Sequence, residues 1–242
     1  MFYRIFRSIL FSLSLILILG FLTACGTEDD ISLADEDAEV IEVDESGNTT
    51  VDLDALSNAL NQIPINELSN VEAEGLLYMR EEEKLARDVY LRLFEEWAIA
   101  TFQNISDSEQ THTDAVKSLI DRYELGDPAA GKDIGLFTDP TLQDLHDTLV
   151  EEGKQSLSSA LRVGAAIEEI DILDLEERIA LTGKIDIKLV YENLMKGSRN
   201  HLRSFVSALK NQTGETYQPQ YLSQEAYDSI INTPIERAGR TG

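Results

Sequence analysis

Residues 76–97 read LLYMREEEKLARDVYLRLFEEW. Leu76, Met79, Glu83, Ala86, Tyr90, Leu93 and Trp97 recur at spacings of three and four. That period places them along the core-facing stripe of one long helix. One carboxylate, Glu83, stands inside the apolar stripe. Glu81, Glu82, Lys84, Arg87 and Asp88 fall off it and are expected in solvent. An ionised carboxylate on a core face is costly unless it is paired or bound to metal.

Three more long segments carry the same kind of pattern. The second helix is expected after Asn104 and Ser106, with Asp107 or Ser108 as its cap and His112, Ala115, Val116, Leu119, Ile120 and Tyr123 facing in. Gly126-Asp127-Pro128 ends it. Residues 129–140 form a Gly- and Pro-marked connection, too long for a tight helical hairpin and suited to a crossover. A short helix is expected over 141–152. The third long helix runs over 156–181, with Leu157, Leu161, Gly164, Glu168, Asp171 or Ile172, and Leu175 inside. The fourth runs over 186–210, with Leu189, Val190, Leu194, Ser198, His201, Leu202, Phe205 and Leu209 inside. No useful stretch alternates with period two, so no sheet is expected. Tyr217, Tyr221, Leu222, Tyr227, Ile230 and Ile231 suggest a short C-terminal segment packed back on the helices, with fraying over 232–242.

The polar residues on these inner faces form a pattern of their own. Glu83 comes from the first helix and Glu109-x-x-His112 from the second. Glu168 comes from the third and His201 from the fourth. Glu, Glu-x-x-His, Glu and a helix bearing His is the ligand order of a dinuclear site inside a four-helix bundle. Iron(II), manganese(II) and zinc(II) accept such oxygen and nitrogen donors. Glu169 competes with Glu168, but Gly164, Ile172 and Leu175 share the face of Glu168. The position where a second Glu-x-x-His would have its glutamate is Ser198. Asp171 could replace that carboxylate, water could fill the gap, or the site could hold one ion or none. The competing reading of Glu83, Glu109, His112, Glu168 and His201 is a buried polar network without metal. His146 has no carboxylate on its face and is expected to be exposed. Tyr90 and Trp97 read as core packing.

Several of these motifs carry a resemblance. Glu83-Lys84-Leu85-Ala86-Arg87-Asp88-Val89-Tyr90 is similar to the first-helix motif of rubrerythrins, and Glu109-Gln110-Thr111-His112 to their second-helix motif. Gly164-Ala165-Ala166-Ile167-Glu168-Glu169-Ile170-Asp171-Ile172 and Gly197-Ser198-Arg199-Asn200-His201-Leu202 resemble a ferritin-like family of bacteria and archaea, domain of unknown function 2202. Tyr217-Gln218-Pro219-Gln220-Tyr221-Leu222-Ser223 fits the same family. The resemblance spans about 71–231. It implies an all-α, ferritin-like four-helix bundle with a long crossover, and brings no settled activity.

The N-terminus reads as an export signal. Arg4 and Arg7 precede an apolar run over 9–22, and Leu22-Thr23-Ala24-Cys25 forms a lipoprotein cleavage box. Residues 1–24 are then the signal peptide and Cys25 the lipidated N-terminus, giving a membrane partner through the lipid and an envelope location. In a Gram-negative cell, Gly26 permits transfer to the outer membrane. Cys25 is the one cysteine, so disulfides and cysteine-ligated iron are excluded. Residues 26–68 contain no Lys, Arg or aromatic residue. Residues 25–70 are therefore expected to be an acidic, disordered tether, dispensable for folding. The chain carries a formal charge of −25, which repels nucleic acid. The sequence names no protein partner and leaves a dimer open.

Two functions follow as expectations. The leading one is a lipid-anchored metal-binding domain that reacts iron or manganese with peroxide or dioxygen in the envelope. The alternative is a non-enzymatic envelope protein that binds a partner or buffers metal.

Overall fold

The computed structural model describes residues 40–237. The expected signal peptide and the lipidation at Cys25 lie outside the described residues. What is described is predominantly helical. After a two-stranded hairpin, β1 (Ile41–Val43) and β2 (Thr49–Val51), come α1 (Leu53–Gln62), α2 (Asn70–Trp97) and α3 (Ala100–Arg122). Then follow α4 (Pro140–Gly153), α5 (Leu157–Leu181), α6 (Ile185–Thr213) and α7 (Gln224–Ile231). Among the described residues no helix is long and apolar enough to cross a membrane.

Local chemistry sets most boundaries. Ser69 and Glu72 form a reciprocal capping box at the start of α2. Ala98, left-handed at φ 51°, ends that helix, and α3 begins two residues later. This is earlier than the caps near Asp107 suggest. Phe102 and Ile105 are fully buried, and their burial draws the first turn into the helix. Asp139 caps α4 ahead of Pro140, Ser156 caps α5, and Gly214 at φ 78° closes α6.

α2 packs along α3 and α5 along α6. The two pairs meet through α2 with α5 and α3 with α6, and α4 lies against α2 and α5. Two apolar clusters fill the interior. One contains Tyr90, Phe102, Leu161 and Phe205, and the other Leu76, Val116, Leu175 and Leu194. Each long helix passes from one cluster to the other, and its polar residue falls between them. On α2 the order is Met79, Glu83, Tyr90. On α3 it is Ile105, Glu109, Val116. On α5 it is Leu161, Glu168, Leu175, and on α6 Leu194, His201, Phe205. The same order shows that α3 and α5 run in one direction. The chain between them must therefore return along the full length of the helices, which the crossover and α4 accomplish.

The crossover also corrects the expected solvent face of α2. Glu81, Glu82, Lys84 and Asp88 are buried. Glu81 accepts from the backbone N–H groups of Thr138 and Asp139. Lys84 pairs with Asp88 and donates to the carbonyls of Asp133 and Leu136, while Asp88 accepts from Gly135 N–H. Helical periodicity identifies which face looks at the other long helices. It does not reveal that a loop covers the opposite face. His146 is corrected likewise. It is 5% exposed, with its ring tilted against that of Phe137 at 5.4 Å and close to Gly135, and with Asp147 at 2.9 Å.

The largest correction concerns the tether. From Val40 onward it is folded. Ile41 pairs with Val51 across an antiparallel hairpin. Val40, Ile41, Val51, Leu56 and Leu60 are buried, the last three with Val40 joining the cluster around Val116 and Leu194. The segment has no aromatic core because α2, α3 and α6 supply the surface on which it lies. Composition alone missed that. At the other end, Glu236 pairs with Arg199 and Arg203, and its N–H donates to Asn200. Residues up to Glu236 are therefore held on α6 and not frayed, and 238–242 lie outside the described residues.

Candidate metal centre

The polar layer between the two clusters brings one face of all four long helices together. Glu109 on α3 is its hub. Its two oxygens lie 3.0 Å from His112 Nδ1 and 2.8 Å from His201 Nδ1. Glu83 on α2 stands 3.5 Å from His112 Nδ1, and Glu168 on α5 stands 3.6 Å from His201 Nδ1. The two imidazoles are stacked, with ring centres 5.3 Å apart. Glu109, His112 and His201 each offer a ligand atom, and those atoms all lie within 4.8 Å of one another. Every residue in the set is at least 97% buried.

Charge is concentrated here away from the protein surface. Burial would raise the Glu109 carboxyl, but the two imidazoles outweigh it and hold Glu109 far below the usual carboxylate range. Burial opposes protonation of His201, yet Glu109 and Glu168 push it up to about 9. His112 is raised against its burial by Glu109 and Glu83. Glu83 is pushed up to about 8 by burial, with His112 opposing. Burial followed by the Glu109 charge raises Glu168.

The fit to a metal can be tested on orphaned atoms. Neither Nδ1 is aligned to hydrogen-bond with a carboxylate, despite the short separations. Both oxygens of Glu83 also lack a hydrogen-bond partner. Buried polar atoms seldom remain unsatisfied. Two imidazole nitrogens and unpartnered carboxylate oxygens around one small volume form a donor set suited to iron(II), manganese(II) or zinc(II).

The remaining sequence-predicted residues are placed as follows. Glu168 faces the layer and accepts from Tyr90 OH at 2.6 Å. Glu169 turns away and accepts from the N–H groups of Gln220, Tyr221 and Leu222, fastening the C-terminal segment to α5. Asp171 accepts from the Ser198 hydroxyl through Oδ2, while Oδ1 has no partner. Burial, then the charges of Glu83, Glu109 and Glu168, raise its carboxyl well above normal. Asp171 thus occupies the neighbourhood of the missing Ser198 carboxylate. His146 lies on α4, outside the group.

Two residues of the site were not anticipated. Thr49, at the start of β2, places Oγ1 3.0 Å from Nε2 of both His112 and His201. No motif marked it. Gly197 on α6 gives the His112 ring its space. A Cβ there would lie 2.5 Å from His112 Cε1 and 2.7 Å from Nε2. Its signal was present in the sequence, since Gly197 precedes His201 by four residues and so shares its face. Gly197→Ala is expected to destabilise the protein by about 1–3 kcal/mol through overpacking. Thermal unfolding measures this. An unchanged melting temperature would show that His112 moves aside freely.

The comparisons with known proteins bear on the helical part. The family model described as Uncharacterized protein domain (DUF2202) matches residues 72–234. The chain is 52% identical over 178 residues to uncharacterized protein MJ0754 of Methanocaldococcus jannaschii, covering 74% of this chain and 96% of that one. The crystal structure of that hypothetical protein matches with a TM-score of 0.70 at 53% identity, over 72% of this chain and 99% of the other.

Proposed function

The chain belongs to the DUF2202 family, and we propose that its helices form a ferritin-like bundle that binds redox-active metal. The observation that carries the reading is the convergence of Glu109, His112 and His201 ligand atoms within 4.8 Å inside a buried polar layer. The long connection between two helices that run in the same direction supports the ferritin-like topology. Glu109, His112 and His201 would hold the metal, with Glu83 and Glu168 beside them as further carboxylate donors. Asp171, positioned by Ser198, would serve where the second Glu-x-x-His lacks its glutamate. Bound iron or manganese would supply one-electron chemistry toward peroxide or dioxygen. The protein's own part is to exclude water, fix the imidazoles and hold compensating charge. Tyr90 keeps Glu168 in place. With the lipid on Cys25, this activity would sit at the envelope membrane.

The second reading is a metal-free scaffold. The Ser198–Asp171 hydrogen bond favours it, because Asp171 then already has a partner. Metal analysis separates the two. Protein exposed to iron(II) or manganese(II) without oxygen and then desalted should retain up to two ions per chain. His112→Ala and His201→Ala should each lose most of that loading, and His146→Ala none of it. Ser198→Glu should tighten binding by restoring the absent carboxylate. A parent protein that retains no metal, unaffected by any of these changes, would establish the scaffold. Peroxide-dependent turnover of loaded protein would mark it as an enzyme.

A further inference from the structure

Thr49 occupies an unusual position. It is 1% exposed and comes from outside the four long helices, upstream of residues 72–234 that match the family. Its backbone N–H donates to Ser108 Oγ on α3 at 3.0 Å. Its hydroxyl lies 3.0 Å from Nε2 of His112 on α3 and from Nε2 of His201 on α6. The hairpin that presents it is fastened to both histidine helices. Val51 N–H donates to Thr111 on α3, and Ser204 on α6 donates to the carbonyl of Ser46. Asp44 accepts from Ser46 N–H, Asn48 N–H and the Asn48 side chain, which sets the turn. Gly47, at φ 86°, lies close enough to α6 that a Cβ would meet Ser204 Oγ at 3.3 Å.

A hydroxyl has two acceptor lone pairs and one hydrogen. A neutral imidazole that binds metal through Nδ1 must carry its proton on Nε2, and that N–H needs an acceptor when buried. Thr49 Oγ1 is within reach of both Nε2 atoms. We propose that Thr49 is a positioning residue: it accepts Nε2–H from both histidines, so that Nδ1 of each ring is the nitrogen that gives up its proton to metal, and the N-terminal hairpin thereby acts as the clasp that completes the site. This deepens the metal-binding reading and rests on it. The four-helix donor set is then incomplete by itself. A single hydroxyl from a fifth element sets the tautomer and ring orientation of both imidazoles.

The test uses manganese(II) as probe with the full chain and three variants. Thr49→Val keeps the side-chain shape and removes the acceptor. Thr49→Ser restores it. Thr111→Val cuts a different hairpin anchor without touching either imidazole. Thr49→Val is expected to weaken manganese(II) binding about 10–100-fold, the usual effect of losing an outer partner of a ligand histidine. Thr49→Ser and Thr111→Val should stay within about threefold of the parent, since the imidazole acceptor is kept in both. Circular dichroism confirms that each variant is folded. Equal losses in Thr49→Val and Thr111→Val would assign the effect to hairpin docking and overturn the proposal, as would unchanged binding in Thr49→Val. If the parent binds no manganese(II) or iron(II), the metal reading fails. Nitrogen-15 NMR of the histidine rings then decides the clasp alone. Two slowly exchanging Nε2–H protons in the parent, lost in Thr49→Val, uphold it, and their absence from the parent rejects it.

Discussion

Glu109→Ala is expected to abolish metal retention and to lower the melting temperature by about 10–15 °C. Among the described residues, Glu109 is the one carboxylate within 3.0 Å of both His112 and His201. Its removal leaves two buried imidazoles facing each other across 5.3 Å with their shared counter-charge gone. Breaking a buried charge pair from one side costs about 3–5 kcal/mol. In a domain of this size each kcal/mol is worth about 2–4 °C. The imidazoles can escape part of the penalty by losing protons. His201, pushed up to about 9 in the parent, should then titrate lower, because burial would be opposed only by the more distant Glu168. NMR titration of the ring reads that shift directly. Glu109→Gln separates charge from shape: it retains the side-chain volume and should lose metal as completely as Glu109→Ala, with a smaller thermal shift. If Glu109→Ala melts with the parent and still loads metal, Glu109 is not the hub.

The parts of this site that were legible in the sequence share one property. Glu83, Glu109, His112, Glu168 and His201 lie on helices whose apolar spacing states which way each residue faces. A charged residue at an apolar position is conspicuous against such a pattern, and the structure places all five in one layer. Glu168 was separable from Glu169 for the same reason. Periodicity failed where an element is buried by something other than a long helix. Lys84 and Asp88 lie on the outer face of α2 by spacing, yet the crossover covers them. His146 is buried by Gly135 and Phe137, contacts that no helical pattern encodes. Thr49 is the extreme case. It sits among acidic residues with no aromatic neighbour, in strands three residues long. Its importance arises from tertiary contact with α3 and α6 alone.

That contact makes the N-terminal segment a stability determinant, contrary to what its composition suggests. A truncated chain beginning at Asn70 is expected to melt at least about 6–12 °C below the parent. The truncation removes Val40, Ile41, Val51, Leu56 and Leu60, all at most 4% exposed. It uncovers the cluster around Val116, Leu119, Ile120 and Val190. Deleting one buried leucine side chain costs about 2–5 kcal/mol. Five cannot be added at that rate, because releasing the segment also restores its conformational freedom. A net loss of about 3 kcal/mol or more remains, which corresponds to at least about 6–12 °C. Arg122 loses the Ile63 carbonyl, and both histidine Nε2 atoms lose Thr49. A chain beginning at Glu39 removes none of these contacts and serves as the control. It should melt with the parent. The two truncations together locate the effect: a fall confined to the shorter chain assigns it to residues 40–69, whereas equal melting of both would return the whole N-terminal region to the role of a spacer. Manganese(II) binding should follow the same division, because the shorter chain lacks the hydroxyl that both imidazoles share.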